Sequence, residues 1–491
     1  MRSFFESAGV LTDLKTYYRP VAIVSFMLDA QIGGTSPAIY HLTNVVLHAV
    51  VTVFLFRTLT RMGGAPIGAL VASLIFAVHP ANVQTVCWIM GRNELLLAAF
   101  SLIAFGSFIQ NLRGRRRSWL VVHALAFAGA VFSKESGVVL LPLIVLYPVL
   151  WQSEDGLANR TRFSPVILLA VVDVGVVAIW WWLRRAALAG GPVAEPTSWQ
   201  TLAANAPQVF SYLEKIVFPF RLNPMPGADR TSIVVGGIAA ALLVVSLVRS
   251  LGIRRFGFVA CWCLAFLLPA LLVPGLPAYE HRLYVPMLGL ALGFGLRATG
   301  QKPIGAQARS LKPEAQSLIA ALAVAAVFSV VSFRYSETFR TPLAYWGRAT
   351  EGTPYAPIAH VNVGQILQDL DKSEEARAHF QRALELDPRV PKAHNNLGVA
   401  LMRLGRTREA LDAFNTELAL HPWNADAHYN VGLYYASEGN ERDAIIQWEE
   451  TLHSNKYYLP AYEKLAALYA ARGDRAKADM YVQRARELQR R

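Results

Sequence analysis

Charged residues are scarce in this sequence: Asp, Glu, Lys and Arg make up 16% of its 491 residues, whereas hydrophobic residues make up 54%. This composition excludes an ordinary soluble domain and favours a membrane-embedded chain. The charges are also unevenly placed, because residues 359–491 are rich in both signs while residues 20–335 consist mostly of apolar runs between basic clusters. Two parts are therefore expected, one in the membrane and one soluble.

Acidic residues are the minority charge, 34 against 47 Lys and Arg, which gives a formal net charge of +13. Many of the basic residues lie in short loops between apolar segments, where membrane topology explains them better than a nucleic-acid partner does. Cysteine is rarer still. Cys87, Cys261 and Cys263 lie in apolar surroundings without the spacing of a zinc site, so we interpret them as packing residues and assign no metal ligand.

About ten apolar segments are long enough to cross, or nearly cross, a bilayer, which takes roughly 20 helical residues. They predict an all-α membrane bundle over residues 39–335. The segments are residues 39–60, 66–80, 95–111, 118–133, 136–151, 165–183, 231–248, 256–275, 283–298 and 317–333.

Basic residues cluster in alternate loops, so all the clusters fall on one side of the membrane if the segments alternate in direction. That side is predicted to be cytoplasmic, because cytoplasmic loops are enriched in Arg and Lys. The opposite loops, a linker helix at residues 336–358 and residues 359–491 are then periplasmic or lumenal. The clusters are Arg57 with Arg61, Arg113–Arg117, Arg160 with Arg162, Arg249 with Arg254 and Arg255, and Arg297–Lys312.

The same alternation places residues 1–38 outside, with no signal peptide or earlier span to carry them there. We therefore expect this external segment to be truncated after a missing first transmembrane helix; the alternative is an unusual export of the N-terminal tail. Residues 203–220 would break the charge pattern as a further span. They are predicted to form an interfacial helix on the outer face, in agreement with Glu214 and Lys215 in mid-segment.

The soluble part repeats with a period of 34 residues, as the aligned residues Ala359, Ala393, Ala427 and Ala461 show. Small residues at fixed positions let two antiparallel helices approach, a bulky residue fills the gap, and Gly or Pro ends each helix. Four helix pairs of this kind predict a tetratricopeptide repeat (TPR) α-solenoid over residues 359–491. Further matches are Gly364, Gly398, Gly432 and Ala466; Phe380, Phe414, Trp448 and Val482; and Gly405, Gly439 and Gly473.

Asparagine recurs in the same frame at Asn362, Asn396 and Asn430, and Lys464 occupies the fourth position. This position faces the concave groove of a TPR array, where a ladder of amides could hydrogen-bond an extended peptide. The alternative is that Asn is simply common at this TPR position and binds no ligand. The sequence leaves both interpretations open.

Polar motifs interrupt the predicted outer face of the membrane part. Ionisable groups at or in a membrane are costly and are functional candidates by default. The structural alternative is that these residues bond neighbouring helices, pair with each other or cap turns. The motifs are Tyr17-Tyr18-Arg19-Pro20; His41, Asn44 and His48 on one helix face; His79-Pro80 through Arg92 to Glu94; Lys134-Glu135; and Glu280-His281-Arg282-Leu283-Tyr284.

The order of these motifs, followed by TPRs, resembles the transmembrane and TPR-containing O-mannosyltransferase family and its bacterial relatives. The resemblance covers nearly the whole chain. It implies a GT-C-like glycosyltransferase that transfers a mannose-like sugar from a polyprenyl-phosphate donor to Ser or Thr of a protein, on the non-cytoplasmic side. Membrane lipid and protein or peptide acceptors are the expected partners, and a requirement for a divalent metal stays open.

A lipid-linked sugar phosphate needs cationic groups to hold its phosphate and stabilise it as the leaving group. The candidates for this role are Arg19, His79, Arg92, Lys134, His281 and Arg282. The supporting polar residues are His41, Asn44, His48, Glu94, Glu135 and Glu280.

The acceptor hydroxyl also needs a carboxylate to take its proton. The family's acidic motif lies in the first external loop, and here only Glu6 and Asp13 precede Tyr17, without forming the expected acidic pair. Gln84 is a second departure, since relatives commonly carry Glu at this position. Glu6 and Asp13 are weak candidates for this role, and the catalytic residue is therefore left unassigned.

These departures keep a second function open, a catalytically inactive membrane-anchored TPR scaffold. A transporter fits less well, because intramembrane charges are few apart from Asp173 and the polar groups gather on one face. A composition rich in Ala and Arg favours a bacterial inner membrane over the endoplasmic reticulum.

Overall fold

A computed structural model describes residues 17–114, 117–151, 163–188, 199–225, 229–273, 279–297 and 312–489. Within these ranges every regular element is a helix, which confirms the predicted all-α class. The chain divides into two compact units, Met1–Arg340 and Thr341–Arg491.

The first unit contains thirteen α-helices among its described residues. Short 3₁₀ turns at Pro80–Asn82, Ile89–Gly91, Glu135–Val139 and Glu280–Leu283 join some of them. The helices are α1 Pro20–Gly33, α2 Pro37–Arg61, α3 Pro66–Val78, α4 Val83–Cys87, α5 Arg92–Gly114, α6 Arg117–Ser133, α7 Leu140–Leu150, α8 Phe163–Ala187, α9 Trp199–Asn205, α10 Gln208–Val217, α11 Arg230–Leu271, α12 Tyr284–Arg297 and α13 Lys312–Ser336.

Each predicted span overlaps a helix, but the helices differ in length. Among the described residues, five helices are long and apolar enough to cross a membrane, and a sixth span results if one bent pair is counted together. The predicted number of about ten spans therefore stays a prediction. The five are Pro37–Arg61, Ile89–Gly114, Val166–Ala187, Arg230–Leu271 and Leu318–Phe339.

Gly252 breaks the longest of these helices between the two spans predicted there. Its φ of 78° and ψ of 163° are non-helical and are accessible to glycine because it has no side chain. Arg230–Leu271 is thus two helical segments, which agree with the predicted spans 231–248 and 256–275.

The bent pair consists of Pro66–Val78 and Pro80–Cys87, which meet at an angle of 53°. His79 is extended at the bend, as expected for a residue that precedes proline. The bend turns the chain into the polar loop of residues 79–94.

Two segments differ from their predicted description. The N-terminal segment contains an apolar helix, α1, which packs on α2 and α6. Residues 203–220 contain α10 and the end of α9, and Glu214 and Lys215 are buried there rather than facing water. The pattern of charges along the sequence could not show this burial, because it depends on neighbouring helices that are distant in sequence.

Asp173, the intramembrane acid, has a partner on another helix. His123 Nε2 lies 3.1 Å from both Asp173 carboxylate oxygens, and both side chains are fully buried. This pair joins α6 to α8, and His123 Nδ1 lies 3.0 Å from the Ala104 carbonyl of α5. Asp173 therefore has a structural role in the bundle.

Over its described residues, 341–489, the second unit contains a leading helix and four helix pairs. The leading helix, α14 Pro342–Gly352, packs on the first pair with Leu343 and Trp346. The four pairs confirm the predicted TPR α-solenoid. They are α15 Pro357–Asp369 with α16 Ser373–Leu386, α17 Ala393–Arg403 with α18 Thr407–Leu420, α19 Ala425–Ser437 with α20 Glu441–Ser454, and α21 Leu459–Ala471 with α22 Arg475–Gln489.

The repeated small and bulky residues meet between the two helices of a pair. A Cβ atom added to Gly398 would lie 2.5 Å from Phe414 Cε1, and one added to Gly364 would lie 2.6 Å from Phe380 Cε1. Both rings are fully buried. Glycine is thus needed where the ring of the second helix packs against the backbone of the first. This close contact is the physical reason why glycine and a bulky residue recur every 34 residues.

Gly398→Ala is expected to lower the free energy of local opening of the second helix pair by about 1–3 kcal/mol, because the new methyl group overpacks the Phe414 ring. Hydrogen exchange of peptides from residues 393–420 in the full chain measures this change. Gly347→Ala is the control, since a Cβ there meets no atom within 4 Å. Adding Phe414→Val, the bulky residue type of the fourth repeat, should restore protection; unchanged exchange in Gly398→Ala would contradict the packing argument.

Candidate functional site

A cavity of about 330 Å³ opens within the first unit. It lies between the N-terminal end of α5, the turn that follows α6, the C-terminal end of α11 and the turn that precedes α12. Its polar and aromatic lining consists of Tyr17, Arg19, Trp88, Asn93, Glu94, Lys134, Glu135, Ser136, Phe266, Tyr279, His281 and Arg282.

The cavity brings together four of the six residues predicted to bind phosphate. Arg19, Lys134, His281 and Arg282 line it, together with the predicted supporting residues Glu94 and Glu135. The other predicted residues do not line it: His41, Asn44, His48, His79, Arg92 and Glu280.

Arg19 and Glu135 form a bidentate ion pair at the cavity wall. Arg19 Nε donates to Glu135 Oε2 at 3.0 Å, and Nη2 donates to Oε1 at 2.6 Å. Burial alone would lower the pKa of the Arg19 guanidinium, but the charge of Glu135 and the hydrogen bonds to it raise the pKa above its ordinary value. Arg19 is therefore a fixed cation, tied to the turn after α6.

Lys134 and its neighbour Glu135 form ion pairs with different parts of the chain. Its Nζ donates to Glu94 Oε1 at the start of α5. The extended backbone of Lys134, with φ −158° and ψ 138°, lets Lys134 and Glu135 reach different partners. Two adjacent residues thereby place two cation–carboxylate pairs in one cavity.

His281 is held at both of its backbone groups. Its N–H donates to Gln84 Oε1 at 3.0 Å, and its carbonyl accepts from Thr85 Oγ1 at 3.4 Å. Burial, and then the charges of Lys134, Arg282 and Arg19, hold the pKa of the imidazole well below 6.5. The ring is therefore neutral at pH 7 and can meet a phosphate only as an N–H donor, not as a cation.

Arg282 completes the cationic side of the cavity. Its guanidinium lies over the Tyr279 ring, with Cζ 5.4 Å from the ring centroid. An aromatic face stabilises a nearby cation without neutralising its charge.

Arg92 is fully buried and lies outside the cavity. Its Nη1 is 2.5 Å from Asp29 Oδ2, its Nη2 donates to the Tyr40 carbonyl at 2.8 Å, and its Nε donates to Asn44 Oδ1 at 3.0 Å. Cζ also lies 4.5 Å from the centroid of the Phe26 ring. These contacts tie α1, α2 and α5 together, so the structure gives Arg92 a structural partner rather than a phosphate.

Asn44 continues this network toward the cavity. Its Nδ2 donates to the carbonyls of Val86 at 3.2 Å and Trp88 at 3.0 Å. A fully buried amide on α2 thus fixes the backbone of the loop that carries Trp88.

His48 and His79 also bind protein groups. His48 Nδ1 lies 2.5 Å from the Tyr284 hydroxyl, and Nε2 lies 2.9 Å from the Ala77 carbonyl. His79 Nδ1 accepts from the Ala81 N–H, and Nε2 lies 3.0 Å from the Ile216 carbonyl. Both rings have two partners, and His41 is half-buried on the same helix as His48.

Glu280 is fully buried behind the cavity. Its Oε1 accepts from the Asn223 N–H at 2.9 Å, and its Oε2 accepts from the Tyr335 hydroxyl at 2.8 Å. The carboxylate therefore anchors the turn that carries His281 and Arg282.

Gln84, the departure from the family pattern, uses both ends of its amide. Oε1 accepts from the His281 N–H at 3.0 Å, and Nε2 donates to the Pro224 carbonyl at 3.0 Å. Glutamate has no donor for the Pro224 carbonyl when it is ionised. Glutamine thus satisfies both backbone groups at this buried position without carrying a charge.

Gln84→Glu is expected to destabilise the first unit by about 2–4 kcal/mol, because it leaves a buried carbonyl unpaired and buries a charge. The unfolding midpoint of this unit is measured by the reaction of its cysteines with a thiol-reactive dye. The dye reports this unit alone, since the cysteines of the chain are Cys87, Cys261 and Cys263. Gln365→Glu, on the TPR surface, is the control. An unchanged unfolding midpoint in Gln84→Glu would contradict the assigned role.

The weak catalytic candidates Glu6 and Asp13 lie outside the described residues. Glu94 and Glu135 are the carboxylates that line the cavity within the described part of the chain, and each has a cationic partner. Over the same residues, no group of three or more His, Cys, Asp or Glu side chains could hold a metal ion.

The sequence motifs did not identify three residues that lie at or near the site. Trp88 and Tyr279 line the cavity, and Asp29 is the buried partner of Arg92. Asp29 could have been found, because it is a lone acid in an apolar stretch. Nothing in the sequence distinguished Trp88 from the other tryptophans.

The TPR asparagines are half-buried and partly occupied by neighbours. Asn362 Nδ2 donates to the Ile358 carbonyl at 2.7 Å, within its own helix. Asn430 Nδ2 donates to Asn395 Oδ1 at 2.9 Å, and Asn395 Nδ2 donates to Asn396 Oδ1 at 3.3 Å. The Asn430 amide thus links two adjacent repeats, and the binding of a peptide by these asparagines stays a prediction.

The apolar helices, the charged cavity and the TPR array define a helical membrane protein with a repeat domain. Residues 20–182 match the family model of dolichyl-phosphate-mannose-protein mannosyltransferases, and residues 361–422 and 400–454 match a tetratricopeptide repeat model.

Among curated relatives, the chain is 33% identical over 133 residues to protein O-mannosyl-transferase Tmtc1 of Drosophila melanogaster and 35% identical over 136 residues to protein O-mannosyl-transferase TMTC3 of Mus musculus. These matches cover 27% of this chain and only 16% and 15% of the relatives. The similarity to TPR-containing protein O-mannosyltransferases, predicted from the motifs, is confirmed.

Solved structures match about a third of the chain. MamA is 24% identical with a TM-score of 0.28, and the match covers 32% of this chain and 90% of MamA. YrrB, described as a TPR protein with an unusual peptide-binding site, is 23% identical with a TM-score of 0.26, over 33% of this chain and 83% of YrrB.

Proposed function

We propose that this chain is a glycosyltransferase that transfers a mannose-like sugar from a polyprenyl-phosphate donor to Ser or Thr of a protein. The observation that carries the proposal is the grouping of Arg19, Lys134 and Arg282 in one cavity of the apolar unit. The names of the relatives and the mannosyltransferase family model support the same reaction class.

The cations match the chemistry of the donor. Arg19 presents a planar fork that suits phosphate oxygens, and Lys134 adds a point charge beside it. As the bond between the sugar and phosphate breaks, negative charge grows on the phosphate, so these cations stabilise the transition state more than the bound donor. Arg19 is paired with Glu135 and Lys134 with Glu94, so the donor phosphate competes with these carboxylates for the two cations.

The prenyl tail of the donor and the protein acceptor are assigned to other parts of the protein than the phosphate. The prenyl tail would lie against the apolar lining of the cavity, such as Phe266 and Val285. The protein acceptor would be presented by the TPR groove. The carboxylate that takes the acceptor proton is left unassigned.

The site and the TPR domain are proposed to lie on the non-cytoplasmic side, in a bacterial inner membrane, since the basic loops favour the other side as cytoplasmic. Glu374→Cys, in an exposed position of the first repeat, should react with an impermeant alkylating reagent in intact cells. Arg113→Cys should react only after permeabilisation. The native cysteines are replaced by alanine in both variants, and the reverse pattern would contradict this topology.

Transfer of radiolabelled mannose from polyprenyl-phosphate mannose to a co-expressed acceptor tests the reaction. Membranes with the full chain should label the acceptor, and a deletion strain should lose the glycosylation. Absence of transfer, together with unchanged glycosylation in the deletion strain, would reject the enzyme.

A membrane-anchored TPR scaffold is the second candidate. It is favoured by the pairing of both lining carboxylates, Glu94 and Glu135, with cations. The scaffold predicts that TPR-bound proteins are lost from the membrane on deletion of the gene, while no sugar transfer is detected.

A further inference from the structure

Trp88 is a large aromatic residue whose surface is 37% exposed although it lines a cavity. By contrast, Trp151, Trp180 and Trp262 pack in the core of the same unit and are at most 6% exposed. Trp88 is thus partly uncovered beside the fixed charges of the cavity, where an aromatic side chain can contact a ligand.

The backbone of Trp88 is fixed by a buried network. Asn44 Nδ2 donates to the Trp88 carbonyl at 3.0 Å, and Asn44 Oδ1 accepts from Arg92 Nε at 3.0 Å. Asn44 and Arg92 are fully buried. The partly exposed indole is thus carried by a backbone held by buried hydrogen bonds, which is the arrangement that a preorganised binding site requires.

Two further aromatic rings lie next to the indole at the cavity. The His281 ring centroid lies 4.9 Å from that of Trp88, and the Tyr279 ring stacks on His281 at 5.4 Å with an interplanar angle of 29°. Gln84 holds the His281 backbone in turn. Trp88, His281 and Tyr279 therefore form one aromatic wall of the cavity.

Polar groups line the same space. Asn93 and Ser136 carry uncharged hydrogen-bonding side chains, and Lys134 lies beside them. A pyranose ring presents C–H groups on its face and hydroxyl groups around its edge. The C–H groups suit the electron-rich face of an indole, and the hydroxyl groups suit an amide and a hydroxyl.

We propose that Trp88 binds the pyranose ring of the donor by stacking, and so determines that the cavity recognises the sugar as well as the phosphate. This inference rests on the proposed function. It separates two roles within one cavity: the cations hold the phosphate, and the aromatic wall holds the sugar.

The test measures equilibrium binding to the full chain in phosphatidylcholine nanodiscs with two probes, a short-chain polyprenyl-phosphate mannose and the same polyprenyl phosphate without sugar. Trp88→Ala should weaken binding of the mannosyl lipid about ten-fold and leave the bare lipid phosphate within about two-fold. Trp88→Phe should retain most of the affinity. Trp182→Ala is the matched control, because Trp182 is 69% exposed and lies outside the cavity.

Equal weakening of both probes by Trp88→Ala would overturn the inference, since it would indicate a general loss of the cavity. Unchanged binding of the mannosyl lipid by Trp88→Ala would overturn the inference as well. In either case, the proposed function would stand if the unsubstituted chain binds both lipids. If the unsubstituted chain binds neither lipid, the proposed function fails, and the inference fails with it.

Discussion

Arg92→Met is expected to destabilise the first unit by about 3–5 kcal/mol, because it leaves Asp29 as a buried charge without its partner. The same change removes the donors to Asn44 and to the Tyr40 carbonyl. The midpoint of thermal unfolding in detergent should fall by about 10 °C. A thiol-reactive dye reports this unit selectively, since residues 341–491 contain no cysteine.

A double-variant cycle separates the ion pair from the other contacts. Arg92→Met combined with Asp29→Asn should be less destabilised than the sum of the single variants, because the double variant leaves no unpaired charge. Arg340→Met, in an exposed pair with Glu337, should leave the midpoint unchanged. Equal midpoints for the unsubstituted chain and Arg92→Met would show that Arg92 does not hold the helices together.

Arg19→Gln is expected to lower kcat/KM for sugar transfer about 100-fold or more, if the proposed reaction is correct. The expected size follows from the loss of a charged donor to a group that gains negative charge in the transition state. Arg19→Lys should lose less, about ten-fold, because lysine keeps the charge but not the planar fork. Initial rates of mannose transfer in membranes measure both variants.

Glu135→Gln provides the informative counterpart. It removes the carboxylate that competes for Arg19, so the affinity for bare polyprenyl phosphate should rise by a few fold. Arg340→Gln controls for loss of an arginine elsewhere. If Arg19→Gln retains full transfer activity while the chain remains folded, Arg19 does not contact the donor phosphate.

The TPR half could be predicted almost completely. Its 34-residue period appears in the sequence because each repeat makes the same local contact, such as that between Gly398 and Phe414. The helices of the membrane part were also predictable, since an apolar run long enough for a bilayer is visible without knowledge of its neighbours.

The site could be predicted only as a set of polar motifs. Arg19, Lys134 and Arg282 turned out to line one cavity, whereas His79 and Arg92, with the same residue chemistry, are occupied by protein groups. His79 bonds the Ile216 carbonyl, 137 residues away in the chain. A motif read along the chain cannot show such a partner.

The helical class, the repeat with its period and the similarity to TPR-containing O-mannosyltransferases follow from the chain alone, because periodicity and motif order are visible along it. Which polar residues face a shared space follows from helix packing, because packing brings together residues that are distant in the chain. Whether a cation such as Arg92 or Lys134 serves the fold or a ligand depends on where its partner lies. Helix packing buries Arg92 against Asp29, whereas it leaves Lys134, beside Glu94, at a cavity wall.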